Sequence, residues 1–189
     1  AVHEAVTIST CNRTELYLVT ADPVEAENAA LGILSRQAGL RPTELLGAIY
    51  SLRGAEAVEH LFAVTAGLDS MIVGEAEVQG QVKRSYEMAL VEGVTGPVAN
   101  RLFRDALAAG KRVRSETAIS RSSVSVSSVA VKLAADFLGD LAERRVLVIG
   151  AGENAELTAR ALRERGVEAL FVANRRYDRA LGLAQRYGG

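Results

Sequence analysis

The sequence predicts an α/β protein of two units joined by a helix, and three observations carry that reading. Two short runs with apolar residues at alternate positions open the chain, segments with apolar residues at helical spacing follow, and residues 145–189 alternate strand, helix, strand and helix. A change of composition near Gly139 divides the chain. A first unit is expected over residues 1–117, a connecting helix over 118–139 and a second unit over 140–189.

Each element has its own justification. Val6 and Ile8 alternate with Thr7 and Ser9, a polar stretch runs from Ser9 to Thr14, and Leu16 and Leu18 then alternate with Tyr17 and Val19. That pattern is two strands around a polar turn. Asp22-Pro23 supplies an N-cap and a first-turn proline for a helix carrying Ala26, Ala29, Ala30, Ile33 and Leu34, which stops at Gly39. Leu45–Leu52 reads equally as a short strand or a short helix. A helix over Ala55–Ala66 closes at Gly67, another from Glu75 to Glu92 closes at Gly93, and Gly96-Pro97 opens a long helix to about Thr117. Ser120–Ser128 is rich in serine, but the valines that interrupt it make it a serine-capped helix ending near Gly139. Beyond it come a strand at Arg145–Ile149, a helix to about Arg165, a strand at Leu170–Ala173 and a helix from about Tyr177.

At 189 residues, 49% hydrophobic and 24% charged, the composition excludes a disordered or collagen-like chain. No run approaches the roughly 18 uninterrupted apolar residues of a membrane span, so a soluble protein without a membrane partner is expected. The single cysteine cannot form an internal disulfide and no charged-then-apolar signal opens the chain, which places it in a reducing cytoplasmic setting. One Cys and two His at unrelated positions give no metal-ligand set. The ends, Ala1 just before a strand and Gly189 directly after a helix, read as those of a piece of a longer chain.

The net charge of −1 is an average: residues 1–98 hold 6 basic and 13 acidic side chains, residues 99–121 hold 6 and 2, and residues 122–189 hold 10 and 8. On the long helix Arg101, Arg104, Lys111 and Arg112 fall on one arc, opposite Leu102, Phe103, Ala106, Leu107, Ala109 and Val113. Like charges on one face repel, and a phosphate backbone would relieve that repulsion. A solvated helix face is the alternative.

Gly150-Ala151-Gly152-Glu153-Asn154-Ala155 lies between an apolar strand and an amphipathic helix, the context in which a glycine fingerprint marks a dinucleotide site of Rossmann type. Gly150 permits the tight turn, Gly152 lets the backbone approach a pyrophosphate, and Ala155 allows close helix–strand packing. Where an NAD site wants a carboxylate after the second strand, this chain has Asn174-Arg175-Arg176, so two guanidinium groups are available to a 2′-phosphate and NADPH is the expected cofactor. Glycines that serve packing alone, and arginines on a solvated loop, are the competing reading.

Cys11 sits in the polar turn between the first two strands. A free cysteine is commonly a small buried hydrophobe. Here Arg13, the turn amides and neighbouring hydroxyls favour the thiolate, the reactive form. A thiol nucleophile and an NADP site on one chain point to acyl transfer onto sulfur followed by hydride reduction to an aldehyde.

Six segments, Ser9-Thr-Cys-Asn-Arg-Thr-Glu-Leu-Tyr17, Gly67-Leu-Asp-Ser-Met-Ile-Val-Gly-Glu75, Gly80-Gln-Val-Lys83, Arg112-Val-Arg-Ser-Glu-Thr117, Ser123-Val-Ser-Val-Ser-Ser128 and Gly150-Ala-Gly152-Glu, occur in an order that resembles the glutamyl-tRNA reductase family along nearly the whole chain. The resemblance implies an α+β catalytic domain, a ferredoxin-like remnant plus helices, joined by a helix to a truncated Rossmann-type NADP-binding domain. It implies the first step of tetrapyrrole synthesis from glutamate: a thiolate attacks the aminoacyl ester of glutamyl-tRNA, tRNA leaves, and NADPH reduces the thioester to glutamate-1-semialdehyde.

Carried over, Cys11 is the nucleophile, Thr10, Asn12 and Arg13 contact the glutamate moiety, and Ser70, Glu75 and Gln81 match substrate-binding positions. His60 matches a histidine that carries a proton, although its neighbours Val58, Leu61 and Phe62 also allow a structural histidine. Ala76-Glu77 stands where the family usually has Pro-Gln, which adds a carboxylate near an acidic substrate. The family's N-terminal strand and helix, the rest of its nucleotide domain and its C-terminal dimerisation helix are not in this sequence. Weak NADPH binding by the 189 residues is therefore expected, with a homodimer and a partner aminomutase implied only for the longer family protein. Two rival readings are a thioester-forming NADP aldehyde dehydrogenase acting on a free acyl substrate and a non-catalytic tRNA-binding module.

Overall fold

A computed structural model describes residues 2–75, 77–120 and 125–189. The chain forms two compact units, Ala1–Ser122 and Ser123–Gly189.

In the first unit β1 (Val2–Ser9) and β2 (Thr14–Thr20) pair antiparallel, with Val6 opposite Tyr17 and Ile8 opposite Glu15. They are followed by α1 (Pro23–Ala38), the one-turn α2 (Pro42–Leu45), α3 (Ala55–Ala66), α4 (Glu77–Val91), α5 (Pro97–Glu116) and a 3₁₀ turn at Ala118–Ser120. Local signals set most of these limits. Asp22 caps α1 by accepting the amides of Val24 and Glu25, and Gly39 and Gly67 close α1 and α3 in the left-handed region. The segment after α2 joins neither a strand nor a helix. Leu46, Ile49 and Leu52 remain exposed, and the segment is tied to α1 when Arg53 and Ser51 hydrogen-bond the Glu27 carboxylate.

One face of the β1–β2 ribbon packs on α3, α4 and α5. Val6, Ile8, Leu61, Val64, Val78, Val82 and Phe103 are buried there. Tyr86 stacks on Phe103 and Tyr17 meets it edge-on, both with ring centroids 5.5 Å apart. Burial of a ring such as Phe103 contributes about 1.5–3 kcal/mol, which makes this trio an anchor of the unit. Helix α5 comes so close to α3 at Gly110 that a Cβ there would lie 2.8 Å from the Thr65 carbonyl oxygen.

Two glutamates bracket the apolar row of the ribbon. At one end Glu4, 8% exposed, accepts the amides of Ala99 at 2.7 Å and Val98 at 3.3 Å. It thereby caps α5, whose own N-cap, Gly96, has no side chain to do so. A Cβ at Gly96 would come within 2.5 Å of the Glu4 carboxylate. Burial alone pushes the Glu4 carboxyl up, and the amides of Ala99, Val98 and Gly96 outweigh it and hold it below its ordinary value. At the other end stands Glu15.

The second unit contains α6 (Val126–Leu138), β3 (Arg145–Ile149), α7 (Glu153–Glu164), β4 (Ala169–Ala173) and α8 (Tyr177–Arg186). Ser125 caps α6 through the Ser128 amide, within the serine-rich segment. β3 and β4 run parallel, Arg145 beside Ala169 and Ile149 beside Ala173, and α7 is the crossover between them. The helix expected to connect two units packs instead within the second. Val131 is 3% exposed in a cluster with Val148, Ala159, Leu162 and Leu170, because the apolar face of α6 finds its partner in α7. Among the described residues no helix is long and apolar enough to cross a membrane.

Candidate functional site

The turn between β1 and β2 is built by Thr10. Its amide donates to the Arg13 carbonyl at 2.9 Å, and its hydroxyl oxygen accepts the amides of Asn12 at 3.2 Å and Arg13 at 3.1 Å. Cys11 is exposed at the tip. Of the turn amides expected near the thiol, those of Asn12 and Arg13 are committed to the Thr10 hydroxyl. Thr10 shapes the turn that presents the thiol.

Below the turn lies a polar cluster at the edge of the apolar core. Arg13 Nη1 donates to Glu15 Oε1 at 2.8 Å and to Asp69 Oδ2 at 3.3 Å, and Nη2 donates to the Asp69 carbonyl. The Glu15 carboxylate, with a side chain only 9% exposed, also accepts Tyr17 Oη at 2.7 Å and faces His60 Nε2 at 3.0 Å. Tyr50 Oη lies 3.2 Å from the same His60 nitrogen, and Asp69 Oδ2 lies 3.7 Å from His60 Nδ1.

Burial raises the Glu15 carboxyl, but hydrogen bonds from Tyr17, His60 and Arg13 prevail and keep it below the ordinary carboxylate range. The Tyr17 hydroxyl is pushed far up by burial and by the adjacent Glu15 charge, so it remains a donor. His60 thus has a carboxylate at each ring nitrogen, Glu15 at Nε2 and Asp69 at Nδ1, and a proton on Nε2 satisfies the more buried of the two. His60, 16% exposed at its side chain, therefore stands in a polar cluster even though Leu61 and Val64 of the same helix are fully buried in the core.

The loop after α3 brings further candidates. The Ser70 hydroxyl is buried without a hydrogen-bond partner among the described residues. Gly74, at φ +85°, leaves room for the Ile119 carbonyl, which a Cβ would approach to 2.5 Å. Arg114 of α5 pins this loop by donating to the carbonyls of Gly74 and Glu75. Glu75 is half-buried, Glu77 opens α4 where a carboxylate complements the helix N-terminus, and Gln81 lies half-buried one turn later. Ala76 lies outside the described residues, as do Ser123 and Val124 of the serine-rich segment.

Sequence reasoning missed Glu15, Tyr17, Tyr50 and Asp69 as members of this cluster. The alternation read from the sequence puts Leu16 and Leu18 inward, whereas the register places Glu15 opposite Ile8 and Tyr17 opposite Val6, on the core face of β2. Tyr50 and Asp69 carried no signal, since only tertiary structure brings their loops to His60.

In the second unit Gly150 has φ +112° and its amide donates to the Ala173 carbonyl at 2.7 Å. No side chain caps α7 after Gly152, and Ala155 packs against the cluster around Ala159. Ala151 packs on the same cluster, the Asn154 carbonyl accepts Ser127 Oγ at 3.0 Å, and Glu153 is exposed in the first turn. These residues fit a dinucleotide pyrophosphate through backbone amides. Of the two guanidinium groups expected to be available to a 2′-phosphate, one already lies in a surface ion pair. Arg176 is paired with Asp178 at 2.8 Å and its carbonyl accepts the Asn174 amide, whereas Arg175 has no ion-pair partner among the described residues.

The basic stripe of α5 is partly neutralised as well. Arg101 pairs with Asp105 at 3.5 Å, Arg112 pairs with Glu116 at 3.0 Å, and Arg104 donates to the Asn100 carbonyl. An open cavity of about 460 Å³ between α4 and α5 is lined by Lys83, Tyr86, Asn100 and Arg104, apart from the Cys11 turn. Among the described residues no group of three or more His, Cys, Asp or Glu side chains is placed to hold a metal ion.

Comparison with known proteins agrees with this geometry. Residues 1–117 match the model of the glutamyl-tRNA(Glu) reductase N-terminal domain, and residues 132–189 match that of shikimate/quinate 5-dehydrogenase. The chain is 53% identical to glutamyl-tRNA reductase of Rubrobacter xylanophilus, covering 100% of this chain and 44% of the relative. It is 48% identical to that of Deinococcus radiodurans, covering 98% and 51%. The solved glutamyl-tRNA reductase from Methanopyrus kandleri superposes with a TM-score of 0.59 at 42% identity, over 100% of this chain and 44% of that one. The chain thus spans about half the length of the curated relatives it matches. With a family match over residues 1–117 and this identity along its whole length, the chain belongs to the glutamyl-tRNA reductase family.

Proposed function

We propose that the chain carries the substrate-binding and thioester-forming part of a glutamyl-tRNA reductase, together with the start of its NADPH site. The observation that supports this most is the placement of an exposed thiol, Cys11, on a turn whose next residues enter a cluster of Arg13, Glu15, His60 and Asp69. Cys11 Sγ attacks the ester carbonyl of glutamyl-tRNA, the bond to the ribose oxygen breaks, and a thioester on Cys11 remains. His60 takes the thiol proton at Nδ1 and returns it to the departing ribose hydroxyl. Arg13 holds the glutamyl side-chain carboxylate by charge-assisted contact on the side of Nη1 where the exposed Asp69 carboxylate lies. The buried Ser70 hydroxyl lacks a partner among the described residues, and a substrate oxygen would supply one.

In the second unit Gly150 and Gly152 with the first amides of α7 hold the pyrophosphate, and Arg175 takes the 2′-phosphate. NADPH, when bound, supplies the hydride that reduces the thioester to the aldehyde. The aminomutase partner and the homodimer belong to this reading of the longer protein.

The RNA is read as charge, with Arg104 and Lys111 on α5 and Lys83 on α4 as phosphate contacts. Deacylation of glutamyl-tRNA without NADPH, compared with a small glutamyl thioester across a salt series, tests this. Half-saturation by glutamyl-tRNA should rise at least tenfold between about 50 and 200 mM salt, as for several phosphate contacts, with the small thioester nearly unaffected. Equal, salt-independent use of both substrates would favour an aldehyde dehydrogenase acting on free acyl groups.

A further inference from the structure

The guanidinium assigned to the substrate carboxylate is already engaged by a carboxylate of the protein. Arg13 is held on one side by Glu15, a nearly buried residue on β2 that also binds Tyr17 and His60. Its other contact is Asp69, whose backbone carbonyl accepts Nη2 and whose side chain, 55% exposed, reaches Nη1 at the longer distance of 3.3 Å. The two carboxylates differ in kind. Three donors fix Glu15 to the core, whereas Asp69 sits on the loop after α3, half in solvent, with Oδ2 lying between Arg13 Nη1 and His60 Nδ1 at 3.3 and 3.7 Å. Beside it the Ser70 hydroxyl is buried with no partner among the described residues, so the loop next to Asp69 carries a polar group open to a ligand.

We infer that Asp69 is a resident stand-in for the substrate's side-chain carboxylate. It occupies the open edge of Arg13 when the site is empty and must yield that edge when a glutamyl group enters. The inference rests on the glutamyl reading above. A substrate carboxylate can exchange places with Asp69 at little electrostatic cost, because one anion replaces another at the same guanidinium. A neutral side chain of the same length offers no replacement charge and leaves Asp69 in place. Asp69 thus acts as a specificity-determining residue by competition, and after displacement it remains beside His60 Nδ1, the nitrogen that receives the thiol proton.

The test is a double-mutant cycle on acylation of Cys11 by glutamyl-tRNA without NADPH, with half-saturation and maximal rate measured separately. Asp69→Asn and Asp69→Ala are each made alone and in an Arg13→Ala background, with folding checked by circular dichroism. Removing the competitor should lower the half-saturating concentration about two- to fivefold, the factor matching an exposed ion pair. The same change should have no effect once Arg13 is gone. A merely structural role would raise half-saturation instead. If Arg13→Ala weakens binding but the Asp69 variants leave half-saturation unchanged or raise it, the stand-in role is wrong and the substrate reading survives. If Arg13→Ala leaves half-saturation unchanged, the assignment of Arg13 to the substrate carboxylate fails and the stand-in role fails with it.

Discussion

Glu15 gathers hydrogen bonds from Arg13, Tyr17 and His60 while almost out of contact with solvent. A buried carboxylate is costly unless its oxygens are filled, and here its donors are the side chains on which the proposed chemistry depends. Glu15 is therefore a positioning residue that fixes the guanidinium and selects the Nε2–H form of His60. Glu15→Gln keeps the shape but presents an amide NH₂ to donors that need an acceptor. The variant is expected to lose roughly ten- to hundredfold in the maximal rate of Cys11 acylation, since general acid–base assistance contributes about 10²–10⁴ and is impaired rather than deleted. Single-turnover deacylation measures this loss. A rate within twofold of the unsubstituted protein would mean that His60 does not depend on Glu15. The sequence carried the strand and its period of two but not its inward face, since the Leu16 and Leu18 alternation points the wrong way and pairing with Val6 and Ile8 puts Glu15 and Tyr17 on the core side. The partners Tyr50 and Asp69 come from loops whose positions no local pattern specifies.

Among the elements, α5 depends on a carboxylate that lies 95 residues earlier in the chain, for Glu4 of β1 supplies the cap that Gly96 cannot. The Glu4 carboxyl is held low in the folded protein. Its contribution is therefore complete above the unfolded value near 4.5 and is lost as pH falls through the lower folded value. Glu4→Gln is expected to be about 1 kcal/mol less stable at neutral pH, the typical worth of a helix N-cap. Thermal unfolding followed from pH 6 downward should show the gap between the two proteins closing below about pH 4.5. Parallel curves would show that Glu4 is not held as an ionised cap. The other helix limits were legible because their signals are local, as with Asp22 before Pro23 and glycines at Gly39, Gly67 and Gly139. The Glu4 cap was not, since a strand glutamate acquires that role only through tertiary pairing. The charge of the stripe on α5 is smaller than its basic residues alone suggest. Asp105 and Glu116, each four residues after an arginine, share its face and pair with it.

For the molecule as a whole, the strand–helix–strand unit with its glycine turn was legible because an apolar strand and two glycines are a local pattern. The division between units was less so. A helix that reads as a connection has an apolar face, and that face is buried on α7, which moves the boundary to Ser122–Ser123. The first unit joins the exposed thiol to the cluster that would recognise a glutamyl group. The second supplies the turn and the uncapped helix end that a dinucleotide pyrophosphate fits. The claim on which the account turns is that Cys11 receives the glutamyl group. It is tested most directly by mixing the protein with glutamyl-tRNA in the absence of NADPH, quenching in acid and mapping the mass of the Cys11 peptide. The account predicts a glutamyl adduct confined to Cys11, with free tRNA released in equal amount, and neither in Cys11→Ser. Release of tRNA at the same rate from Cys11→Ser, with no adduct on the unsubstituted protein, would contradict it.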